Sequence, residues 1–362
     1  MKTLAAISRP GTPAPVIEAF DISEPRESEI LVRIVASGIC HTDIMMHGRE
    51  RGAPIILGHE GAGIVERIGP EVKTLKPGDH VALSYVYCGH CPSCLRGSHS
   101  YCDEMGKNFG GLRPDGSSAI SQNGVPIAAR FFNQSSFSQF AMATESSAVL
   151  VPSDVPIELL GPLGCGILTG AGAVINALKV RPGDSIAVFG TGSVGLSAIM
   201  AARLSGAKHI IAIDRVASRL AMAHELGATA TIDATREDAV KVIRALAPRG
   251  IEFALNTTSA TSVFIQATQI LAMQGMLGLV ITPNGDVSQA VGQMLGRGQR
   301  WVAILMGDAT PQLFIPTLID LYRQGRFPFD RLVKFYPFEE IARAFHDSEA
   351  GATIKPILQM PH

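Results

Sequence analysis

Two rhythms of apolar and polar positions divide the chain. Through the first third, short apolar runs rich in β-branched residues alternate with turn residues. They include Glu-Ile-Leu-Val-Arg-Ile-Val-Ala at 29–36, a second run at 61–68 and a third at 80–83 behind the turn Pro77-Gly78-Asp79. This pattern predicts a small β-rich barrel or sandwich. From about Arg181 the rhythm changes, with strands predicted at 185–189, 209–213, 253–256 and 276–281 and helices at 193–205, 217–226, 237–247 and 262–272. Short apolar runs separated by helical periods predict an open parallel sheet with crossover helices. After Pro283 a glycine-rich stretch to Gly298 carries little signal. A strand-like run follows at 301–305, then helices are predicted at 317–324 and 338–347.

Composition narrows the class. With 362 residues the chain has room for about two domains of ~150 residues, each able to bury a core. A charged fraction of 17% and a net charge of −1 argue against disorder and against a phosphate-neutralising surface for nucleic acid. Residues 159–178 carry no formal charge but hold five glycines, Pro162 and Asn176, a poor membrane span and a plausible buried turn and helix. The apolar run at the N-terminus is interrupted by Arg9 and Pro10, too early for a signal peptide. The expectation is a soluble, cytoplasmic protein acting on a small molecule.

Gly190-Thr191-Gly192-Ser193-Val194-Gly195 stands between a predicted strand and a predicted helix. The first glycine permits the tight turn, the second lets backbone approach a pyrophosphate, and the third lets helix pack on strand. Amide groups at the helix start then face the negative charge. Asp214, nineteen residues after Gly195, ends the second strand, where a carboxylate accepts hydrogen bonds from a ribose diol and repels a 2′-phosphate, favouring NAD. Arg219 is a candidate for the adenosine face or a solvated helix charge, and Arg215 is the residue able to soften the NAD preference.

Of six cysteines, Cys88, Cys91, Cys94 and Cys102 crowd one glycine- and proline-bearing loop. Disulfides across such short loops fit a reducing compartment badly, whereas four thiolates at these spacings form a closed, structural zinc site. His90 and His99 lie beside the cluster, but four thiols leave them no vacancy. Cys40, His59 and Cys165 are candidates for a second, catalytic zinc, which needs three protein ligands and an open position. Spacing alone does not separate that reading from packed core residues.

Taken together, Cys40-His41-Thr42-Asp43, Gly58-His59-Glu60, the four-cysteine lobe, Gly164-Cys165-Gly166 and the nucleotide loop resemble the zinc-dependent medium-chain alcohol dehydrogenases, across essentially the whole chain. Gly106-Lys107-Asn108-Phe109-Gly110-Gly111, Asp115-Gly116-Ser117-Ser118 and Ser135-Ser136-Phe137 look most like the aryl-alcohol branch, with geraniol dehydrogenases nearby. The resemblance implies an α/β fold in which a doubly wound parallel Rossmann sheet domain is inserted in a β-rich, chaperonin-10-like catalytic domain. It places the catalytic domain at residues 1–166 with the zinc lobe at 84–105, the NAD domain at 167–307 and the return to the catalytic domain at 308–362. Cys40, His59 and Cys165 would bind catalytic zinc, and Glu60 would coordinate it transiently. Asp43 would fix the His59 tautomer, Thr42 would take the alcohol proton, and His41 would touch the cofactor pyrophosphate. A relay histidine common in the family is Met45 here, so His47 is the candidate substitute. Ser84, where the family often has a bulky aromatic, would leave room for a ring or branched chain.

The expected reaction is reversible oxidation of a primary aromatic or allylic alcohol to its aldehyde with NAD, using one catalytic and one structural zinc per chain. The rivals are a thiol-adduct formaldehyde dehydrogenase of the same family and a non-enzymatic zinc module, which would have no use for Cys40, His59, Glu60 and Cys165. The resemblance further implies a homodimer or homotetramer, and the run at 301–305 is either a strand extending the sheet across a two-fold or a buried edge.

Overall fold

The computed structural model describes residues 1–47, 49, 53–113 and 115–361. The chain divides into two compact units, Met1–Cys165 with Thr310–Ile319 and Asp330–His362, and Gly166–Ala309 with Asp320–Phe329.

Among the described residues of the first unit, two sheets form. The larger runs Ala148–Leu150, His80–Leu83, Glu60–Ile68, Glu29–Gly38, Lys355–Gln359 and Val333–Pro337 in spatial order, with Phe140–Thr144 also paired to Glu29–Gly38. Antiparallel pairing sets Gly38 opposite both Glu60 and Ile357, so the chain just beyond Gly38, the start of the Glu60 strand and the start of the Lys355 strand meet at one end of the sheet. The smaller sheet contains Ile55–Ile56, Lys2–Ser8, Val16–Ile22, Ile120–Gln122 and Val125–Ile127. Phe20, Leu31, Ile56, Ile120 and Met142 share a buried core.

The second unit is a parallel sheet in the order Ala230–Asp233, His209–Asp214, Ser185–Phe189, Ile251–Asn256, Leu271–Leu279 and Arg300–Ala303. Phe189, Ile211, Ile213, Ile232, Phe264 and Leu277 are buried in its core, as expected for strands covered by crossover helices. The strand order steps outward on both sides of Ser185–Phe189, the doubly wound arrangement predicted.

Element boundaries depart from the sequence reading where capping or glycine decides. The helix predicted from 237 starts at Ala239, because Asp238 caps it by accepting from the amides of Val240 and Lys241. The glycine-rich stretch contains an unforeseen helix, Ser288–Arg297, closed by Gly298 at φ +63°. The helix predicted at 317 begins at Pro311 and tolerates Pro316 inside it. The strand expected at 276 begins at Leu271, directly after helix Thr261–Ile270. Residues of the uncharged 159–178 run form short 3-10 turns, helix Gly166–Gly172 and a π-turn Ala173–Ala177. No helix among the described residues is long and apolar enough to cross a membrane.

Candidate active site

Four side chains from distant parts of the first unit converge. One donor atom each of Cys40, His59, Glu60 and Cys165 lies within 4.8 Å of the others. Cys40 precedes helix His41–His47, and Asp43 in its first turn is fully buried. One Asp43 oxygen accepts from the Cys40 amide at 2.9 Å, and the other accepts from the Gly58 amide at 3.1 Å and from His59 Nδ1 at 2.9 Å. A single carboxylate therefore sets both the start of the helix and the imidazole plane. Gly58 has φ +90°, and a Cβ there would lie 2.5 Å from the Phe137 amide nitrogen, so no other residue turns the chain into His59 at this spot.

With Nδ1 donating to Asp43, His59 Nε2 is left as a buried atom without a hydrogen-bond partner, and the histidine is 1% exposed. Such an atom is costly unless something accepts its lone pair. Two thiols and this nitrogen are a donor set that zinc fits, with Glu60 as a fourth donor. Electrostatics are strongly perturbed there. Burial pushes His59 down, but Asp43 and Cys40 outweigh it and raise its pKa well above the usual value. Hydrogen bonding between the two thiols dominates both shifts, lowering Cys40 and raising Cys165. Burial raises Glu60 against the opposing charge of Lys355.

Lys355 was not foreseen from sequence. Its Nζ donates to both Glu60 oxygens, at 2.9 and 2.8 Å, and to the Ile39 carbonyl at 3.0 Å. Thr42 Oγ1 lies 3.8 Å from Cys40 Sγ, and His41 is exposed at the head of the same helix. Ser84 is 1% exposed, and its hydroxyl donates to the Gly164 carbonyl at 2.7 Å, fixing the backbone beside Cys165.

An aromatic wall backs His59, and it too was not foreseen from sequence. Phe132 stacks on the imidazole at 4.5 Å and 23°, Phe131 meets it edge-on at 5.3 Å, and Phe109, 47% exposed, packs on Phe132 at 5.3 Å. His47 is not brought to the cluster. Its Nδ1 pairs with the Ser8 hydroxyl and its Nε2 with the Thr12 carbonyl, each at 2.9 Å, and its ring meets Phe345 edge-on. Both ring nitrogens are thus spent on Ser8 and Thr12, a geometry that anchors the end of helix His41–His47.

The four lobe cysteines also place their sulfurs within 4.8 Å of one another. Backbone amides point at them: Cys88 Sγ accepts from Cys91, Cys91 Sγ from Cys94, and Cys102 Sγ from Cys88 and Glu104. Amide groups, that of Asp103 first, lower the Cys91 thiol to about 6, whereas burial raises Cys94 to about 12. All six cysteines are free, and the lobe's donor set fits a tetrahedral zinc. His90 Nδ1 pairs with the Cys88 carbonyl and His99 Nδ1 with Thr310, outside the thiol set.

In the second unit, the loop after Ser185–Phe189 leads into helix Ser193–Leu204 with Gly192 as its first cap. A Cβ on Gly195 would lie 1.9 Å from the Gly190 carbonyl oxygen, the close strand–helix approach predicted for the third glycine. Nothing stands within 4 Å of a Cβ at Gly192, leaving open the space a pyrophosphate needs beside Ser193 and Val194. Asp214 accepts from the Thr191 amide and hydroxyl at 2.6 and 2.7 Å and from the amides of Arg215 and Val216 at 2.6 and 3.0 Å. It thus ties the glycine loop to the end of the second strand, a role beyond the ribose contact expected. Arg219 is half-buried in the first turn of helix Ala217–Leu226.

Residues 26–153 match the family model of the alcohol dehydrogenase GroES-like domain, and residues 193–323 match that of zinc-binding dehydrogenases. A geraniol dehydrogenase of Castellaniella defragrans is 45% identical over 348 residues, covering 94% of this chain and 93% of its own. A solved structure of an alcohol dehydrogenase zinc-binding domain protein from Burkholderia ambifaria aligns with a TM-score of 0.97 at 49% identity, covering 100% of both chains. That of benzyl alcohol dehydrogenase from Acinetobacter calcoaceticus aligns with a TM-score of 0.95 at 43% identity, also over 100% of both.

Proposed function

This chain belongs to the zinc-dependent medium-chain alcohol dehydrogenase family, and on that premise we propose that it interconverts primary aromatic or allylic alcohols, of the benzyl or geranyl kind, and their aldehydes, using NAD. The observation that carries the substrate reading is the stack of Phe132 on His59, extended outward by Phe109. A flat or conjugated carbon skeleton gains offset and edge contacts from such rings that ethanol cannot make. Similarity to both a geraniol and a benzyl alcohol dehydrogenase supports the same class.

In this reading Cys40, His59 and Cys165 hold the catalytic zinc with Glu60 beside it, and Cys88, Cys91, Cys94 and Cys102 hold the structural one. When bound, zinc supplies a Lewis acid for the alcohol oxygen and NAD the hydride acceptor. Asp43 keeps a proton of His59 on Nδ1, so Nε2 is the ring atom that offers its lone pair to zinc. Thr42 Oγ1, next to Cys40 and half-buried, takes the alcohol proton as it releases its own hydroxyl proton to solvent. The Gly190–Gly195 turn takes the pyrophosphate, and Asp214 selects NAD over NADP.

Initial rates of NADH formation test the substrate class. Benzyl alcohol, cinnamyl alcohol or geraniol should exceed ethanol in kcat/KM by at least roughly tenfold, the scale set by a few apolar contacts in a pocket. A preference for ethanol, or turnover confined to a hydroxymethyl-thiol adduct, would overturn it.

A further inference from the structure

The segment that follows the aromatic wall runs along the strand entry that carries His59. Ser135 Oγ donates to the Ile56 carbonyl at 2.6 Å, the Phe137 amide to Leu57 at 3.1 Å and the Ser136 amide to Gly58 at 3.0 Å. Gln134 completes the series with its side chain. Its Nε2 donates to the His59 carbonyl at 3.0 Å and the Ser84 carbonyl at 3.3 Å, and its Oε1 accepts from the Gly61 amide at 3.1 Å. Gln134 is 0% exposed, so no water substitutes for these bonds.

One carboxamide therefore grips the backbone on both sides of Glu60 and the backbone of Ser84. Ser84 in turn holds the Gly164 carbonyl through its hydroxyl, next to Cys165. The strap also fixes the rings. Phe132, Asn133 and Ser135 have φ of +48°, +56° and +48°, left-handed values that side chains other than glycine rarely adopt. They are held there by Ser135 Oγ, which accepts from the Phe131 amide at 3.0 Å, and by the amides of Gln134 and Ser135, which donate to the Phe131 carbonyl at 3.1 and 3.0 Å. The same turn that presents Gln134 to His59 from behind lays Phe132 on its face.

We propose that Gln134 is a positioning residue that sets the spacing of the ligand strand around His59 and Glu60 relative to Cys165, and thereby the hold of this chain on its catalytic zinc. The inference rests on the reading of Cys40, His59 and Cys165 as ligands. An apolar residue at 134 leaves two carbonyls and an amide without partners, and the backbone at 59–61 and at 84 relaxes apart. A glutamate keeps the shape but turns an oxygen toward both carbonyls.

The test is release of zinc from the holoenzyme to a colorimetric chelator, with Gln134→Leu and the near-isosteric Gln134→Glu. Both variants should lose one zinc per chain at least roughly tenfold faster than the parent, the usual scale for residues that orient metal ligands, while the lobe zinc leaves at the parental rate. Cobalt-substituted variants should show altered visible ligand-field bands, which a merely structural role would leave unchanged. If the leucine variant does not fold, the glutamate variant carries the same comparison. Loss of one zinc in Cys40→Ser, with parental release rates and spectra in both Gln134 variants, overturns the proposal alone. Retention of both zinc ions by Cys40→Ser overturns the ligand reading and the proposal with it.

Discussion

Lys355 and Glu60 form a buried ion pair across 295 residues of sequence, with Nζ 2.9 and 2.8 Å from the two carboxylate oxygens and side chains 2% and 0% exposed. The Ile39 carbonyl takes a further donor of the ammonium group, so the cation is bound to the segment leading into Cys40 as well as to the acid beside it. Burial pushes the lysine pKa down, but the charge of Glu60 outweighs it and the group stays protonated. The pair thus fixes the direction in which Glu60 points.

Removing one partner strands the other as a buried charge, which costs about 3–5 kcal/mol. Lys355→Met should lower unfolding stability by about that amount in urea titrations, and the double variant Lys355→Met/Glu60→Gln should recover a substantial part because no charge is left unpaired. A Lys355→Met protein within about 1 kcal/mol of the parent would show that the pair does not hold this end of the sheet.

Cys40, His59 and Cys165 became candidates through motifs that resemble a family's, and Gly190 to Gly195 through its place at a strand–helix junction. Lys355 lies in no motif, and only the antiparallel pairing of Gly38 with Glu60 on one side and Ile357 on the other brings it to the cluster. Gln134 likewise reads as a polar loop residue, because its three partners are backbone groups that leave no mark on sequence. The helix Ser288–Arg297 was hidden by Gly292 and Gly296, which weaken its apolar period. Most of the parallel sheet was legible because its strands are short apolar runs between strong helical periods.

Asp214 offers a second test, because its carboxylate ties the glycine loop and, in the function proposed above, also meets the coenzyme ribose. Burial would raise its pKa, but hydrogen bonds from Thr191 and from the Arg215 and Val216 amides outweigh it and lower it. The stabilisation is then full above the ordinary value of 3.8 and is lost as pH falls through the lower folded value, so Asp214→Asn should flatten the acid side of the stability profile. Hydrogen bonds to a charged group are worth about 1.5–3 kcal/mol, so the same variant should weaken NAD binding by roughly tenfold or more. NADP, which gains from removal of the negative charge, should lose less, and fluorescence titration of both coenzymes reads the ratio. An unchanged NAD to NADP ratio would remove Asp214 from coenzyme selection.

His47 separates anchoring from proton relay. Its two ring bonds tie helix His41–His47, which begins directly after Cys40, to the Ser8 hydroxyl and the Thr12 carbonyl. Each such bond contributes about 0.5–1.5 kcal/mol net, so His47→Ala should destabilise the protein by about 1–3 kcal/mol in thermal or urea unfolding. Alcohol oxidation by the folded variant should keep the parental pH–rate profile, with no rescue by added buffer base, since both ring nitrogens are bonded to Ser8 and Thr12 and neither to the cluster. Slow turnover near neutral pH that imidazole or another buffer base restores would return His47 to the relay and show that the Ser8 and Thr12 bonds open during the reaction.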